Sequence, residues 1–150
     1  MRWFVDIFTN PFLLTSLSSW FVAQLMKVII NAFIYKKIIW ERLIGDGGMP
    51  SGHSATVSSL AVFIGLSCGF NSVIFAIAAI LAIIVCHDAT GVRQETGKQA
   101  QLINEIIQIL ETKDLPEVKL KELVGHTPLQ VAAGILIGIA NACLMYFVIL

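Results

Sequence analysis

The chain has little charge for its length. Only 13% of its 150 residues are charged and 57% are hydrophobic, whereas a soluble domain carries about 25% charged and about 45–50% apolar residues. The mean hydropathy of +0.82 excludes an ordinary water-soluble fold and favours a membrane as the solvent. Basic and acidic residues number ten each, so the zero formal net charge creates no field that would attract nucleic acid.

Cysteine is scarce as well. Cys68, Cys86 and Cys143 lie in apolar stretches without the paired spacing of a disulfide framework or a zinc site. We interpret them as packing residues and expect no metal and no cofactor. The first ten residues lack a small-residue cleavage site after a short apolar region. We expect them to be retained as an interfacial segment that contains Trp3 and Phe4.

Long apolar runs are what the sequence has in abundance. Four runs predict membrane-spanning helices, over Phe12–Tyr35, His53–Cys68, Asn71–Cys86 and Thr127–Leu150. The two central runs are close to the lower limit of about 17 residues for a span, so a re-entrant hairpin is an alternative to two crossings. The fold class expected is all-α: a single domain over residues 1–150 that forms an integral membrane bundle of about four transmembrane helices.

A further helix is expected in the polar segment before the last span. Apolar residues recur there at helical spacing, namely Ala100, Ile103, Ile106, Ile107 and Leu110. The pattern predicts an amphipathic helix that lies on the membrane or on the bundle. In the last span, Gly134 and Gly138 form a G-x-x-x-G step. Such a step lets a helix of the same chain, or of a second copy in a homo-oligomer, approach closely.

Basic residues are concentrated on one side of the expected bundle. With four spans, the loop after the first span and the long segment before the last fall on the same side. These loops carry Lys36, Lys37, Arg42, Arg93, Lys98, Lys113, Lys119 and Lys121. The positive-inside rule places them in the cytoplasm. We therefore expect a multi-pass protein of the cell (plasma) membrane whose polar loops face the cytoplasm.

A lysine lies within the first predicted span. Gln24, Lys27, Asn31 and Tyr35 recur three or four residues apart and therefore share one face of the helix. A charge at this depth usually faces the bundle interior and marks a functional site. The alternative is a lysine whose long stem reaches the interface.

A glycine-rich loop precedes the second span. In GGMPSGHS, residues 47–54, glycine permits a tight backbone, and the N–H groups at a helix start can bind an anion. Ser51 and Ser54 would add hydroxyl donors. The alternative is a glycine turn followed by a serine N-cap. His53 favours the anion site, because a histidine at its mouth can donate a proton.

A third polar cluster lies at the two ends of the long segment, in HDATGVR (residues 87–93) and GHTPLQ (residues 125–130). Arg93 offers a planar fork that can pair with phosphate. His126 precedes the last span as His53 precedes the second, so both imidazoles are expected at helix starts on one face. The three clusters together indicate a phosphate-handling site.

These motifs resemble a known superfamily. The stretch Pro50-Ser51-Gly52-His53 is similar to the second signature motif of the type 2 phosphatidic acid phosphatase and vanadium haloperoxidase superfamily. The order of NP, GGMPSxH, DAxGVR and GHTP along nearly the whole chain resembles its small divergent bacterial and plant branch.

The resemblance implies a role for each matching residue. His126 would attack phosphorus, and His53 would donate a proton to the leaving alcohol. The residues implied to hold the phosphate are Lys27, Ser51 and Gly52, with Arg93 in place of a motif arginine that this chain lacks. The supporting residues are Asp88, Gln130 and Ser54.

The sequence departs from the superfamily pattern beside its nucleophile. Leu120 stands six residues before His126, where an arginine is expected, and Gln130 occupies the position of the orienting acid. A glutamine carbonyl can accept the Nδ1 proton of the imidazole, but it supplies no charge to stabilise an imidazolium. Asp88 and Glu122 are the candidates for the missing acid.

Two hypotheses about function follow. The first is a membrane phosphatase that acts on a lipid phosphate or an isoprenoid diphosphate through a phosphohistidine. The second is a catalytically weak or inactive membrane protein that binds or transports a phosphorylated lipid or an anion, which Gln130 favours. In both hypotheses the partners are a phosphorylated lipid and the bilayer, without nucleic acid. The identity of the head group stays open.

Overall fold

The computed structural model describes residues 2–36, 48–109, 120 and 125–149. The helices of this part of the chain are α1 Arg2–Phe8, α2 Pro11–Tyr35, α3 Gly52–Cys68, α4 Val73–Thr90, α5 Val92–Ile109 and α6 Pro128–Ile149. They confirm the predicted all-α membrane bundle, with α2, α3, α4 and α6 at the four predicted spans. Some residues of the sequence predictions lie outside the described ranges: Lys37, Arg42, Leu110, Lys113, Lys119, Lys121 and Glu122.

Helices α2, α3 and α4 each begin at a side chain that caps the first turn. Asn10 accepts hydrogen bonds from the backbone N–H groups of Phe12 and Leu13, at 2.9 and 3.2 Å. Ser51 caps α3 and Ser72 caps α4 in the same way, through their hydroxyl oxygens. Because a short polar side chain replaces the missing helical acceptor at each start, local sequence sets where these helices begin.

Helix α3 lies at the centre of the bundle, in contact with α2, α4 and α6. It runs antiparallel to α2, since Ser59 Oγ donates to the Thr15 carbonyl oxygen at 3.2 Å and Ser19 Oγ donates to the Ala55 carbonyl oxygen at 3.1 Å. Small polar side chains of this kind allow membrane helices to pack closely and bond to each other. Helix α3, which has the most small polar side chains of the four spans, is therefore the span most enclosed by other helices.

Three helical segments are long and apolar enough to cross a membrane, namely α2, the stretch Val73–Ile109 and α6. Helix α3 is shorter, with 17 residues, or about 26 Å at 1.5 Å per residue. Its start packs against Trp20 and Gln24 of α2. Near its other end, the rings of Phe63 and Phe12 meet edge to face with centroids 5.3 Å apart. Helix α3 thus runs from the level of Gln24 to the level of Phe12 along α2.

Large apolar side chains cover the outside of the bundle. Helix α4 shows this most clearly, with exposed Ile74, Ile77, Ile80, Leu81, Ile83 and Ile84. In water such a surface would be unfavourable, but lipid tails are as apolar as these side chains. The outward face of α4 is therefore the face that meets lipid.

The closest contact between helices joins α3 to α6. A Cβ on Gly134 would overlap the carbonyl oxygen of Ser51, and a Cβ on Gly138 would lie 2.5 Å from the carbonyl oxygen of Ala55. The G-x-x-x-G step predicted from the sequence thus serves a contact within the chain. Any side chain at either position would push the two helices apart.

The predicted amphipathic helix is confirmed as α5, and it begins one residue after α4. Gly91, between the two helices, has φ −101° and ψ −96°, which is not helical geometry. Of the other described helices, α5 contacts only α4.

We expect Gly134→Ala to destabilise the bundle by about 1–3 kcal/mol, the usual effect of overpacking. Helix propensity alone predicts the opposite sign, since replacing a helical glycine by alanine is favourable by about 0.5–1 kcal/mol. The measurement is thermal unfolding in detergent, followed by the loss of monodisperse protein. Leu136→Ala, at an exposed position of the same helix, is the control. A Gly134→Ala variant as stable as the wild type would contradict the close α3–α6 contact.

Candidate functional site

The three polar clusters meet at the end of the bundle where α3 and α6 begin and α4 ends. The Ser51 N–H donates to the Gln130 carbonyl oxygen at 3.0 Å, and the His126 N–H donates to the Ala89 carbonyl oxygen at 2.9 Å. Helix α2 extends past this level, because its Lys27 lies beside Gly48 in the loop before α3. Lys27 is therefore well inside α2 but at the same level as the starts of its neighbours.

The side chain of Lys27 faces the interior. It is 2% exposed, and its Cδ and Cγ atoms lie 3.7 and 3.8 Å from where a Cβ on Gly48 would be. The other residues predicted on the same face of α2 differ in their burial and contacts. Gln24 is buried, Asn31 donates through Nδ2 to the Lys27 carbonyl oxygen at 2.8 Å, and Tyr35 is exposed. The buried lysine therefore does not reach the surface by extending its stem, as the alternative interpretation required.

Gln24 lies one helical turn from Lys27, further into the bundle. Its Oε1 atom is buried and has no hydrogen-bond partner among the described residues. Its amide lies beside Gly52, since Cδ is 3.7 Å from where a Cβ on that glycine would be. A buried acceptor without a hydrogen-bond partner is unfavourable unless a donor, such as a water molecule, bonds to it.

His126 is held from several sides. The residue is 4% exposed, and its Nδ1 atom lies 3.3 Å from Gln130 Oε1. The same Oε1 accepts a hydrogen bond from the Thr127 N–H at 3.1 Å. Gln130 therefore occupies the place of an orienting acid in space as well as in sequence, but with an uncharged amide oxygen.

The pKa of His126 is lowered from its ordinary value of 6.5, mainly because burial disfavours the charged imidazolium. The positive charges of Lys27 and His53 lower the pKa further, while hydrogen bonds to Gln130 and to the Gly48 backbone act in the opposite direction. The cations on α2 and α3 are thus close enough to act on this ring. The free protein holds a neutral imidazole at neutral pH.

The start of α3 divides its predicted site residues into buried and exposed ones. Ser51 and Ser54 are fully buried. Ser51 Oγ accepts from the Ser54 N–H at 3.3 Å and from Ser54 Oγ at 2.9 Å, so the serine N-cap interpretation is realised. Gly52 is buried against Trp20, whereas the side chain of His53 is exposed. The histidine is the group at this helix start that can reach a ligand from outside.

Arg93 and Asp88 are paired with each other. Arg93 Nε lies 2.7 Å from Asp88 Oδ2, and both side chains are about half exposed. The backbone of Arg93 approaches Gly125, the residue before His126, whose Cβ would lie 2.6 Å from the Arg93 carbonyl carbon. Within the described residues, no hydrogen bond joins the Arg93 side chain to Lys27 or His126. The structure thus brings the pair to the edge of the cluster.

Sequence reasoning included Gly125 in the third cluster without its conformation, and it missed that Asn104 holds the segment before His126. Asn104 donates through Nδ2 to the Leu120 carbonyl oxygen at 3.0 Å and accepts from the Leu120 N–H at 2.9 Å. Gly125 has φ +100°, a conformation that favours glycine. Its position before His126 was the available signal. Asn104 gave no signal, because a polar residue on an amphipathic helix ordinarily faces water.

The cluster suits an anion. The first N–H groups of α3 have no acceptor inside the helix, and Lys27 and His53 add positive charge beside them. Among the described residues, no three His, Cys, Asp or Glu side chains lie together as a metal site requires. A phosphate group is the ligand class that this combination of donors and cations fits.

Comparisons with known proteins identify one family and one relative. The family model described as "Divergent PAP2 family" matches residues 8–141. A Bacillus subtilis (strain 168) protein described as the uncharacterized membrane protein YuiD is 40% identical, over 95% of this chain and 99% of its own length. No solved structure matches the chain significantly.

We expect Gln130→Glu to raise the pKa of His126. A carboxylate at 3.3 Å from Nδ1 favours the imidazolium, and this opposes the lowering by burial and by the charges of Lys27 and His53. The measurement is an NMR titration of histidine-labelled protein, with the resonance assigned by loss in His126→Gln. Gln101→Glu, which adds the same charge at an exposed position of α5, is the control. Equal titration curves in the two variants would show that residue 130 does not contact the ring.

Proposed function

This chain belongs to the divergent PAP2 family, and from that premise we propose that it is a membrane phosphatase acting on a lipid phosphate or an isoprenoid diphosphate. In this proposal His126 forms a phosphohistidine, and His53 is the general acid. The observation that carries the proposal is the cluster itself. His126 is buried before α6, its pKa is lowered, and it is within electrostatic reach of Lys27 and of His53 at the start of α3.

The phosphate would be held by positive charge and by backbone donors. The Lys27 ammonium supplies the positive charge. The backbone donors are the first N–H groups of α3, at Gly52 and His53. Phosphoryl transfer needs mainly this charge around the equatorial oxygens, plus a nucleophile in line with the leaving group. We call Lys27 and the first N–H groups of α3 the cradle. Ser51 and Ser54 stabilise it, because their hydroxyls bond to each other and fix the first turn of α3.

The first chemical step would break the phosphate ester bond. With Nδ1 facing Gln130, the Nε2 lone pair of His126 attacks phosphorus. The ester oxygen leaves with the electron pair of the P–O bond and takes a proton from the His53 imidazolium. The products of this step are a phosphohistidine and an alcohol, or an isoprenoid monophosphate when the substrate is a diphosphate. His53 is exposed, as a group that exchanges protons with solvent should be.

The second step would regenerate the enzyme. Neutral His53 accepts a proton from water as the water oxygen attacks phosphorus, and the P–N bond breaks with its electron pair returning to His126. Inorganic phosphate leaves, and the two histidines return to their starting states.

The lowered pKa of His126 favours its role as the nucleophile of the first step, since only the neutral ring can attack.

The second candidate function is binding without turnover, and the uncharged Gln130 favours it. In a serine protease triad, an amide in place of the orienting acid lowered turnover by about 10⁴-fold. The described residue that pairs with Arg93 is Asp88, so this carboxylate does not replace the missing acid at Nδ1. A protein of this kind would hold a phosphorylated lipid or an anion in the same cradle.

Substrate would enter from the bilayer. The cluster lies at one end of a multi-pass bundle whose outer surface is apolar, so a lipid phosphate can place its head group at the cradle while its chains stay in the membrane. The charge distribution of the loops favours the cytoplasmic face of the plasma membrane. Arg93 and Asp88 lie at the edge of the cluster, where they would contact the head group.

The test is phosphate release by purified protein from a panel of lipid phosphates and isoprenoid diphosphates. We expect His126→Ala to lower turnover by about 10³-fold or more, the scale for loss of a nucleophile, and His53→Ala by about 10²–10⁴-fold, the scale for a general acid. The control is His87→Ala, which removes the remaining histidine of the chain, an exposed residue in the last turn of α4.

The outcomes separate the two candidates. Turnover in the wild type that survives in His126→Ala would overturn the phosphohistidine. If the wild type is inactive and Gln130→Glu alone releases phosphate, the natural protein is the binding candidate. In that case vanadate or phosphate binding should still require Lys27, and Lys27→Met should abolish it.

A further inference from the structure

Helix α5 presents an apolar face that no other described helix covers. Leu102, Ile106 and Ile109 lie three or four residues apart on one side of the helix, with Ile103 at its edge, and the four side chains are between 44% and 83% exposed. The only described helix that contacts α5 is α4. Four large apolar side chains on a solvated helix would be unfavourable, so this face indicates a missing apolar partner.

Another face of α5 is buried and holds the segment that leads to His126. Gly97, Ala100 and Asn104 are its buried residues. Asn104 makes two hydrogen bonds to the backbone of Leu120, and the start of α5 lies against Gly125. The face with Asn104 thus contacts the chain's own backbone, whereas the face with Ile106 is not covered by any other described helix.

We propose that the apolar face of α5 docks on the lipid surface, so that α5 lies in the headgroup region beside the end of α4. This inference goes beyond the proposed phosphatase function and does not depend on it. The apolar face of α5 continues the apolar outer face of α4, which is suited to lipid. Ile83 and Ile84 on the outer face of α4 are exposed, and only Gly91 separates that helix from α5.

The break at Gly91 makes such a placement sterically feasible. Its φ and ψ of −101° and −96° depart from helical values, so α5 is not forced to continue along the axis of α4. A helix that continued straight into water would carry its isoleucines away from the membrane. A helix that turns at Gly91 can lay them on the bilayer at the level where α4 ends.

The charge of α5 defines the kind of lipid surface. Arg93 and Lys98 are balanced by Glu95 and Glu105, and Lys98 Nζ lies 2.6 Å from Glu95 Oε1. Helices that bind by attraction to anionic lipids are rich in lysine and arginine, and α5 is not. Docking should therefore come from apolar insertion, require no anionic lipid, and resist high salt.

The experiment places a spin label on each side of α5 in the full chain. Cys68, Cys86 and Cys143 are replaced by alanine, and the label is attached in Ile106→Cys or, as the matched control on the polar side, in Gln101→Cys. The protein is reconstituted in phosphatidylcholine nanodiscs. Accessibility of the label to oxygen, which partitions into lipid, is compared with accessibility to a water-soluble nickel chelate.

We expect the label at residue 106 to be several-fold more accessible to oxygen than to the chelate, and the label at residue 101 to show the reverse order, at low and at high salt. Equal access to the chelate at the two positions would overturn the proposal. A label at residue 106 shielded from both reagents, with dipolar broadening, would overturn it in favour of a second copy of the chain. Leu102→Cys, on the same face, repeats the test if Ile106→Cys does not fold.

Discussion

The contact between α3 and α6 is the constraint on which the rest of the arrangement depends. Gly134 and Gly138 have no side chains, so the backbone of α6 approaches the carbonyl oxygens of Ser51 and Ala55 directly. The starts of the two helices are then joined by the hydrogen bond from the Ser51 N–H to the Gln130 carbonyl oxygen. Because His53 and His126 lie at these starts, the close approach is what puts the two imidazoles within electrostatic reach of each other.

The polar residues inside the bundle have mainly a structural task. The Thr15 carbonyl oxygen accepts hydrogen bonds from Ser18, Ser59 and Asn141, which lie on α2, α3 and α6. Helices in lipid gain little from burying apolar surface against one another, since lipid tails are equally apolar, and hydrogen bonds between helices help to hold them together. Polarity deep in a membrane helix therefore marks packing here, and polarity at the end of the bundle marks the candidate site.

The electrostatics of the site act on His126. The charges of Lys27 and His53 lower the pKa of this histidine, and in the proposed function the same charges attract the phosphate. Gln130 orients the ring without the negative charge that would oppose both effects. In the proposed function the uncharged amide favours anion binding but gives no charge support to an imidazolium, so binding and turnover would make opposite demands on residue 130.

The class of the protein, its helices and its candidate polar residues could all be predicted from the sequence. Composition and apolar runs decide these, because helix formation in lipid depends on local hydrophobicity, and caps such as Asn10 and Ser51 act within a single turn. Motif order also placed Lys27, His53 and His126 in one site before any geometry was known. The burial of Ser51 and Ser54, the pairing of Arg93 with Asp88 and the hydrogen bonds of Asn104 to Leu120 follow from the folded arrangement alone. Those outcomes depend on which atoms of distant segments meet, and residue spacing along one chain carries no information about such contacts.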